Sequence, residues 1–380
     1  RDAAAATTAG APIRSPAGAQ VRAPADTGFA RLVERLSEPG GYFDTDNLIS
    51  NESSYLHVLG PIRALGVSGG AYIGVGPDQN FSYIAQIRPR IAFLIDIRRD
   101  NLLQHLMFRA LFEAARTRVE YLALLHGRRA PDDWRAWRDR PLRDILAYID
   151  STPSTPRAAA RARAAVHDRV RGYGVPLSTH DLETIGRFHD EFIAQGLDLR
   201  FTSFNRAPRP YYPTYRQLLE AKDLTGREGS YVAREEDFQF VRQLEARGLV
   251  VPVVGDLAGP HALAAIGREI AARGETVSAL YTSNVEFYLV RDGSFDRFAA
   301  TAAALPRTDR SVIIRSFFGG TFGAQHPHAV PGFMSTQTLQ TLASFARALA
   351  GGGYQSYWEL VTRDAIDPRP PAPRPAAARP

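Results

Sequence analysis

The feature that most constrains the fold is an almost uninterrupted apolar run, IAFLIDI at residues 91–97, with arginines on both sides. Such a run is typical of a strand buried on both faces of a parallel sheet. Four similar runs alternate with segments of helical periodicity: AYIGVG at 71–76, LVVPVVGD at 249–256, TVSALYTSN at 276–284 and RSVIIRSFF at 310–318. Five strand–helix units predict an α/β fold with a parallel sheet. Right-handed crossovers then bring the carboxyl ends of the strands to one edge, where ligands bind.

The segments between these runs carry the spacing of amphipathic helices. Helices are predicted at 53–66, 78–89, 99–126 (one long helix or a pair), 235–248, 260–274 and 335–351, the last beginning at a Ser335 cap. Only YQSYWELVTR, 354–363, is left as a candidate sixth strand. Residues 127 to about 234 break the alternation and are rich in Arg, Pro and aromatic residues. They predict a mostly helical insertion after the second strand, within a single domain over 27–366.

The two ends have the composition of disordered chain. Residues 1–26 are mostly Ala, Thr, Pro and Gly, and residues 367–380 form a Pro-rich tail. Neither segment has enough apolar surface to offset the entropy lost on ordering. The chain begins with Arg1, which is expected either after removal of a signal peptide or from an arbitrary trim, so both a cytoplasmic and an exported protein are left open.

Composition excludes several kinds of chemistry. The 380 residues include no Cys, which excludes a disulfide framework, a Cys-based zinc site and a Cys nucleophile. No apolar run approaches the length of a transmembrane helix, so no membrane span is expected. The formal net charge is +6, but the charges are interspersed and not clustered, which argues against nucleic-acid binding as the main function.

Polar groups and glycines follow four successive predicted strands. Gly74 and Gly76 follow the first strand, where glycines let a ligand approach the backbone. Asp96 ends the second strand, at the position from which a carboxylate can accept from both hydroxyls of a ribose. Gly255 and Asp256 follow the third strand, and Asp256 could accept from an adenine amino group. Because these groups meet at one edge, the sequence predicts a site for a nucleoside-type ligand.

The loop after the first strand continues as Pro77-Asp78-Gln79-Asn80, and its charge discriminates between nucleosides. A dinucleotide fingerprint has a third glycine where Gln79 stands, and Asp78 would repel a pyrophosphate. S-adenosylmethionine has no phosphate and carries a sulfonium and an amino group. A carboxylate beside this loop therefore favours S-adenosylmethionine over NAD or FAD.

Five residues at the end of the fourth strand and in the segments after the fourth and fifth strands are candidates for a role in the site. Ser283 and Asn284 end the fourth strand, and Glu286 either contacts a substrate or begins the next helix. His326 and His328 follow the fifth strand and could supply a general base or a metal ligand, although no third metal ligand is nearby. A polar loop without chemistry is the alternative for the two histidines.

Two further segments have more than one interpretation. Residues 42–52 are either a lid over the cofactor, with polar contacts from Asn51 and Glu52, or a segment that caps the following helix. Five aromatic residues of the insertion form either a substrate wall or the core of the insertion: Trp134, Trp137, Tyr211, Tyr212 and Tyr215.

These motifs, taken in order, resemble class I S-adenosylmethionine-dependent methyltransferases. The segments GVGPDQNFSYIA, RPRIAFLIDIRRDNLLQHLMFRALF, VVPVVGDLAGP and YTSNVEFYL are more closely similar to an uncharacterised family of bacterial methyltransferase-like proteins, over roughly residues 40–350. The resemblance implies a Rossmann-like three-layer sheet and S-adenosylmethionine as cofactor.

The resemblance also implies roles for individual positions. The cofactor would lie against Gly74, Gly76, Asp78, Gln79, Asn80, Asp96, Gly255, Asp256 and Ser283. A methyl acceptor, small or otherwise unidentified, would face Asn284 and Glu286, with His326 or His328 taking its proton. Two alternatives stand beside methyl transfer: a binding protein that uses this fold without the reaction, and a nicotinamide-dependent oxidoreductase, which Asp78 disfavours.

Overall fold

The structure, a computed structural model, describes residues 27–45, 47–204 and 209–370. The predicted disorder of residues 1–26 falls outside this part of the chain, and the Pro-rich tail is described only as far as residue 370.

One six-stranded sheet organises the described part of the chain. Its strands are β1 Ala71–Gly74, β2 Ile91–Asp96, β3 Val250–Val254, β4 Val277–Ser283, β5 Arg307–Phe317 and β6 Thr336–Thr341. The spatial order is β3-β2-β1-β4-β5-β6. The first five strands run parallel, whereas β6 runs antiparallel to β5, with Phe317 opposite Thr336. The predicted α/β class is therefore confirmed, but the sheet is mixed and not wholly parallel.

Helices fill the connections between the strands. The α-helices are α1 Thr27–Leu36, α2 Leu59–Ala64, α3 Gln79–Ile87, α4 Arg99–Ala114, α5 Arg118–Leu125, α6 Leu142–Ser151, α7 Pro156–Gly172, α8 Thr179–Gln195, α9 Tyr215–Leu219, α10 Glu235–Ala246, α11 Ala262–Ala272, α12 Val285–Arg291, α13 Phe295–Ala304, α14 Gly319–Phe322, α15 Leu342–Ala350 and α16 Tyr357–Thr362. Helices α6 to α9 form the helical stretch that the sequence predicts after the second strand. Within the described ranges no helix combines the length and apolar character needed to cross a bilayer.

The strand order places a reversal between β1 and β4. From β1 the chain moves outward through β2 to β3, then returns to β4 and continues to β5. Right-handed crossovers put the helices of these two halves on opposite faces of the sheet. Consistent with this, α10 packs against α3 and α4, while α11 packs against α13. A reversal of this kind opens a crevice at the carboxyl ends of the strands.

The predicted helix over 335–351 is wrong in its first half. Residues 336–341 form β6, and helix α15 begins only at Leu342. The helix cap is Thr341, whose side chain accepts from the N–H of Ser344 (3.1 Å), and not Ser335. The sequence TQTLQT has alternating β-branched threonines, which favour a strand over a helix.

Two other predicted elements differ from the structure, the candidate sixth strand and the helix over 53–66, while the segment 99–126 follows one of its two predicted alternatives. The candidate sixth strand at 354–363 is instead α16, which Ser356 caps by accepting from the N–H of Glu359. The segment 99–126 is a pair of helices, α4 and α5, separated by extended residues at Ala115 and Thr117. The predicted helix over 53–66 is shortened to α2, which is preceded by turns.

Candidate functional site

A segment that follows α1, residues 37–45 and 47–54, crosses the carboxyl ends of the strands, and we call it the rim segment. The N–H of Glu38 donates to the last carbonyl of β3 (2.9 Å). The N–H of Gly41 donates to the carbonyl that follows β2 (2.7 Å). The rim segment is therefore tied by its backbone to the edge of the sheet at which ligands are expected.

The rim segment continues across the rest of the edge. The carbonyl of Leu48 accepts from Gln104 of α4 (2.7 Å). The buried carboxylate of Glu52 accepts from the Tyr281 hydroxyl of β4 (2.6 Å) and from the Gln337 amide of β6 (3.0 Å). The rim segment thus lies over the strand ends, where a lid was one of the two interpretations. Its Glu52, however, contacts side chains of the sheet and not an open site.

The glycine turn after β1 is held by the chain itself. Gly76 has a φ of 82°, which favours glycine. A Cβ at Gly74 would collide with Oδ1 of Asn80, which also accepts from the Tyr72 hydroxyl (2.8 Å). The Asn80 amide nitrogen donates to three carbonyls of the turn, at Val75, Gly76 and Pro77. Gly74 and Asn80 thus maintain the shape of the turn.

Asp78 lies among tyrosine hydroxyls and not beside an open loop. Its carboxylate accepts from Tyr215 (2.7 Å) and Tyr231 (3.1 Å), and Tyr231 in turn contacts the hydroxyl of Tyr121 (3.2 Å). Burial raises the pKa of Asp78 to about 6, and the hydrogen bonds from the tyrosines limit the rise. The Asp78 carboxylate, which was expected to favour a sulfonium, therefore faces the tyrosines of the insertion.

Four buried side chains at the glycine turn and on the facing side of α4 carry unpaired polar atoms; this polar cluster is Gln79, Asn101, Gln104 and His105. Among the described residues, no hydrogen-bond partner reaches Oε1 of either glutamine, Nδ1 of the histidine or the two amide atoms of the asparagine. His105 donates from Nε2 to the carbonyl of Gly76 (2.9 Å), and burial lowers its pKa to about 4. Each unpaired buried group costs about 1–3 kcal/mol unless water or a ligand satisfies it.

Asp96 is placed at the end of β2 as predicted, but it is paired with its own neighbour. Arg98 donates to Oδ1 through Nε (3.0 Å) and to Oδ2 through Nη2 (2.9 Å), and it also donates to the carbonyl of Thr45 (2.8 Å). The guanidinium therefore occupies the outer edge of the carboxylate through two hydrogen bonds. The two hydroxyls of a ribose would have to donate to the same edge.

The turn after β3 is likewise occupied, by the carboxylate of Glu38. This carboxylate accepts from the N–H of Asp256 (2.9 Å) and from two N–H groups at the start of α11. The Asp256 carboxylate accepts from the N–H of Ala258 (2.9 Å). Gly255 is required because a Cβ there would collide with Ala262. The groups predicted to receive an adenine therefore bind the rim segment and the turn itself.

Two predicted residues, one at the end of β4 and one just after it, form hydrogen bonds with side chains of the chain itself. Ser283, with a φ of 53°, donates to the carboxylate of Glu52. Glu286 is buried and accepts from Nε of Arg315 on β5 (2.6 Å) and from the Thr282 hydroxyl (3.0 Å). Glu286 thus joins α12 to β5 and does not face an open site.

The two histidines lie beside α16. His326 contacts the carbonyl of Val361 through Nε2 (3.0 Å) and accepts from the N–H of His328 at Nδ1 (3.0 Å), so both ring nitrogens are used. Burial lowers the pKa of both histidines. In the described ranges no group of three His, Asp or Glu side chains could hold a metal ion.

A cavity of about 460 Å³ opens beyond the carboxyl ends of β4 and β5, and we call it the aromatic cavity. Half of the lining residues are aromatic: Phe43, Phe201, Tyr211, Tyr212, Phe287, Tyr288, Phe318 and Tyr357. They come from the rim segment, the insertion, α12 and the segments that follow β5. The volume and the ring-rich wall are those of a small-molecule site.

A few polar groups interrupt this wall. Asn284, the predicted acceptor-facing residue, lines the cavity and hydrogen-bonds to the hydroxyl of Tyr288. Burial and the nearby carboxylate of Asp44 raise the pKa of Tyr288. The ring of Phe43 meets the ring of Tyr288 edge to face, with centroids 5.2 Å apart.

The sequence left open whether the aromatic residues of the insertion form a substrate wall or the core of the insertion. Tyr211 and Tyr212 of the insertion do form part of its wall, whereas Tyr215 is buried against Asp78. The sequence analysis missed the aromatic pair Phe287-Tyr288, which follows Asn284 by three and four residues. Its position just after a strand end is the sequence feature that could have indicated the cavity.

Comparison with known families adds one match. A family model described as a domain of unknown function, DUF7790, matches residues 48–143 and 190–369, which together exceed half of the chain. No curated protein matches the sequence. The matched residues include the aromatic pair of α12, the polar cluster and all six strands of the sheet. The chain therefore belongs to the DUF7790 family.

Proposed function

We propose that this protein binds a small organic molecule in the aromatic cavity. The observation that carries the proposal is the cavity itself, which has about 460 Å³ and a wall that is half aromatic, at the carboxyl ends of β4 and β5. Ligand sites of soluble proteins have this size, and they combine apolar walls with few polar groups.

The polar groups of the wall suit a ligand that both accepts and donates hydrogen bonds. The Asn284 amide offers both functions, and the Tyr288 hydroxyl donates. The Asp44 carboxylate adds an acceptor next to Tyr288. Ring faces in the same wall contribute stacking, which is worth about 0.5–1.5 kcal/mol per aromatic pair.

A blocked cavity tests this proposal. Gly320 lines the cavity, and an added Cβ there would have only Met334 within 4 Å. We expect Gly320→Trp to weaken binding of the fluorescent probe anilinonaphthalene sulfonate by at least about tenfold, because the indole fills the cavity. The control is Gly172→Trp, at an exposed position where an added Cβ has no neighbour within 4 Å. Equal probe affinity in the two variants, with unchanged melting temperatures, would refute the proposal.

Methyl transfer from S-adenosylmethionine is the second candidate. Two observations favour it: the strand order, with its reversal between β1 and β4, and the polar cluster beside the glycine turn. The unpaired atoms of this cluster are mainly acceptors, which suit a ligand rich in hydroxyl and amino groups.

The predicted cofactor contacts do not fit S-adenosylmethionine in the described arrangement. Asp96 is paired with Arg98, Asp256 caps its own turn and Asp78 faces tyrosines. For this reason the second candidate ranks below binding in the aromatic cavity.

The ion pair of Asp96 offers a direct test of the second candidate. Arg98→Gln frees the outer edge of the carboxylate, so S-adenosylmethionine should raise the melting temperature of this variant more than that of the wild type. A ligand at about 100 times its dissociation constant adds about 2.7 kcal/mol of stability. NAD serves as the comparison ligand, and Asp96→Asn/Arg98→Gln should lose the response. Absence of any shift in folded Arg98→Gln would eliminate this candidate, while a shift with NAD alone would indicate the oxidoreductase.

A further inference from the structure

Two buried glutamines of the polar cluster hold side-chain oxygens that have no donor, and the contacts of their nitrogens fix which atom this is. Gln104 donates from Nε2 to the carbonyl of Leu48 (2.7 Å), so its Oε1 is the atom without a partner among the described residues. Gln79 donates from Nε2 to the hydroxyl of Tyr281 (3.0 Å), which itself donates to Glu52, and its Oε1 is unpaired in the same way. Both oxygens are acceptors that require a donor or a cation.

These acceptors surround one glycine of the turn after β1. His105 donates from Nε2 to the carbonyl of Gly76 (2.9 Å), so Nδ1, which has no partner in the described part of the chain, carries a lone pair. A Cβ built on Gly76 would lie 3.6 Å from Nε2 of Gln79 and 3.4 Å from Nδ2 of Asn47. Gln104 reaches the same place, because the carbonyl that it binds belongs to the residue after Asn47. Direct contacts across the fold therefore bring these side chains together.

Negative charge is buried around the polar cluster without matching positive charge. The Glu52 carboxylate, 1% exposed, accepts from two hydroxyls and one amide. The Asp78 carboxylate, 3% exposed and next to Gln79 in the chain, accepts from two tyrosine hydroxyls. No ion pair in the described ranges involves either carboxylate, whereas nearby Asp96 is paired with Arg98. Buried charges in proteins are paired or coordinate metal ions.

We propose that the polar cluster binds a monovalent metal cation, sodium or potassium, with the side-chain oxygens of Gln79 and Gln104 as ligands. Carbonyl oxygens of this kind replace the hydration shell of such ions. A divalent ion prefers carboxylate oxygens, and here both oxygens of Glu52 and of Asp96 already accept hydrogen bonds. Burial lowers the pKa of His105 to about 4, so at neutral pH this side chain adds no positive charge that would repel the ion.

The ion has a structural role at the edge of the sheet. Gln104 binds the carbonyl of Leu48, and Gln79 binds the hydroxyl that donates to Glu52. The ion therefore links two points of the rim segment to α4 and to the glycine turn. None of the residues of the polar cluster lines the aromatic cavity, so this inference does not depend on a ligand in that cavity. A cation also satisfies the acceptors without S-adenosylmethionine.

The dependence of thermal stability on the cation present tests this inference. Melting temperatures of the wild type are compared in sodium, potassium and tetramethylammonium chloride at equal ionic strength, which keeps the screening of surface charges constant. Sodium or potassium should raise the melting temperature by about 3 °C over tetramethylammonium, because an ion that binds only the folded state stabilises it. Equal melting temperatures in the three salts would refute the cation site and leave water as the donor to these acceptors.

Two variants locate the response at the polar cluster. Gln79→Leu and Gln104→Leu each remove one unpaired oxygen, and each should lose most of the cation response. The control is Gln340→Leu, at a buried glutamine whose amide is bonded to Arg315 and Tyr354, and it should keep the response. Each response is a difference within one protein, so a lower stability of a variant does not affect the comparison. A response as large in the first two variants as in the control would overturn the assignment. If one of the two does not fold, the other decides the location and the wild type decides whether the ion binds.

Discussion

Replacing Arg315 with methionine is expected to lower the free energy of unfolding by about 3–5 kcal/mol. The reason is the buried ion pair with Glu286, whose side chains are 2% and 1% exposed, because the variant leaves a carboxylate without its cation. Gln340 also loses the guanidinium that donates to its Oε1 (3.0 Å). The measurement is urea-induced unfolding followed by circular dichroism at neutral pH.

Two controls distinguish this mechanism from a general effect of removing arginine. Arg163 pairs with Asp190 at the surface, so Arg163→Met should cost less than about 1 kcal/mol. Glu286→Leu/Arg315→Met removes both buried charges and should recover most of the loss, because desolvation of a buried pair offsets much of its attraction. If Arg315→Met is no more destabilising than Arg163→Met, the buried pair does not hold α12 to β5 as described.

Asparagine in place of Asp78 is expected to stabilise the protein at neutral pH by up to about 3 kcal/mol. The pKa of Asp78 is raised by burial from 3.8 to about 6, and each pKa unit corresponds to about 1.4 kcal/mol. Because the folded-state pKa lies above the unfolded one, Asp78 makes no unfavourable contribution below pH 4. Its unfavourable contribution grows as the pH rises from about 4 to 6 and is complete above that range.

The readout is the difference in unfolding free energy between Asp78→Asn and the wild type, measured between pH 4.5 and 8. Taking the difference between the two proteins cancels the contributions of the other titrating groups. The difference should increase with pH and then level off. Asp190→Asn, at an exposed carboxylate, supplies the baseline. A difference that is constant across the range, or that falls with pH, contradicts the placement of Asp78 among the tyrosines.

The buried parallel strands were readable from the sequence because most positions in their buried stretches are apolar. The run at 91–97 became β2, Ile91–Asp96, and the run at 249–256 contains β3, Val250–Val254. Helix α11 was predicted for the corresponding reason, since one apolar face repeats with helical spacing.

Strand β6 was missed because its burial depends on partners that are distant in sequence. Its Gln337 donates to Glu52 of the rim segment, and its Gln340 accepts from Arg315 of β5. A polar strand of this kind has no apolar run, and its glutamines are buried only because tertiary contacts satisfy their amides.

The candidate site divides in the same way. Topology alone placed Asp96 and Asp256 at the ends of neighbouring strands, but it said nothing about which groups would contact them. Arg98 pairs with the carboxylate of Asp96, and Glu38 accepts from the backbone N–H of Asp256. These contacts use the groups that were predicted to bind a nucleoside.

By itself, the sequence determined the α/β class, the parallel strands and the strand ends that carry polar groups, because these follow from local apolar patterning and from the handedness of crossovers. Only the tertiary structure decided which of those polar groups stay available. Hydrogen bonds and ion pairs form between residues far apart in the chain, and the rim segment crosses the whole edge of the sheet. The aromatic cavity lies beyond the carboxyl ends of β4 and β5, and its wall is assembled from four separate parts of the chain.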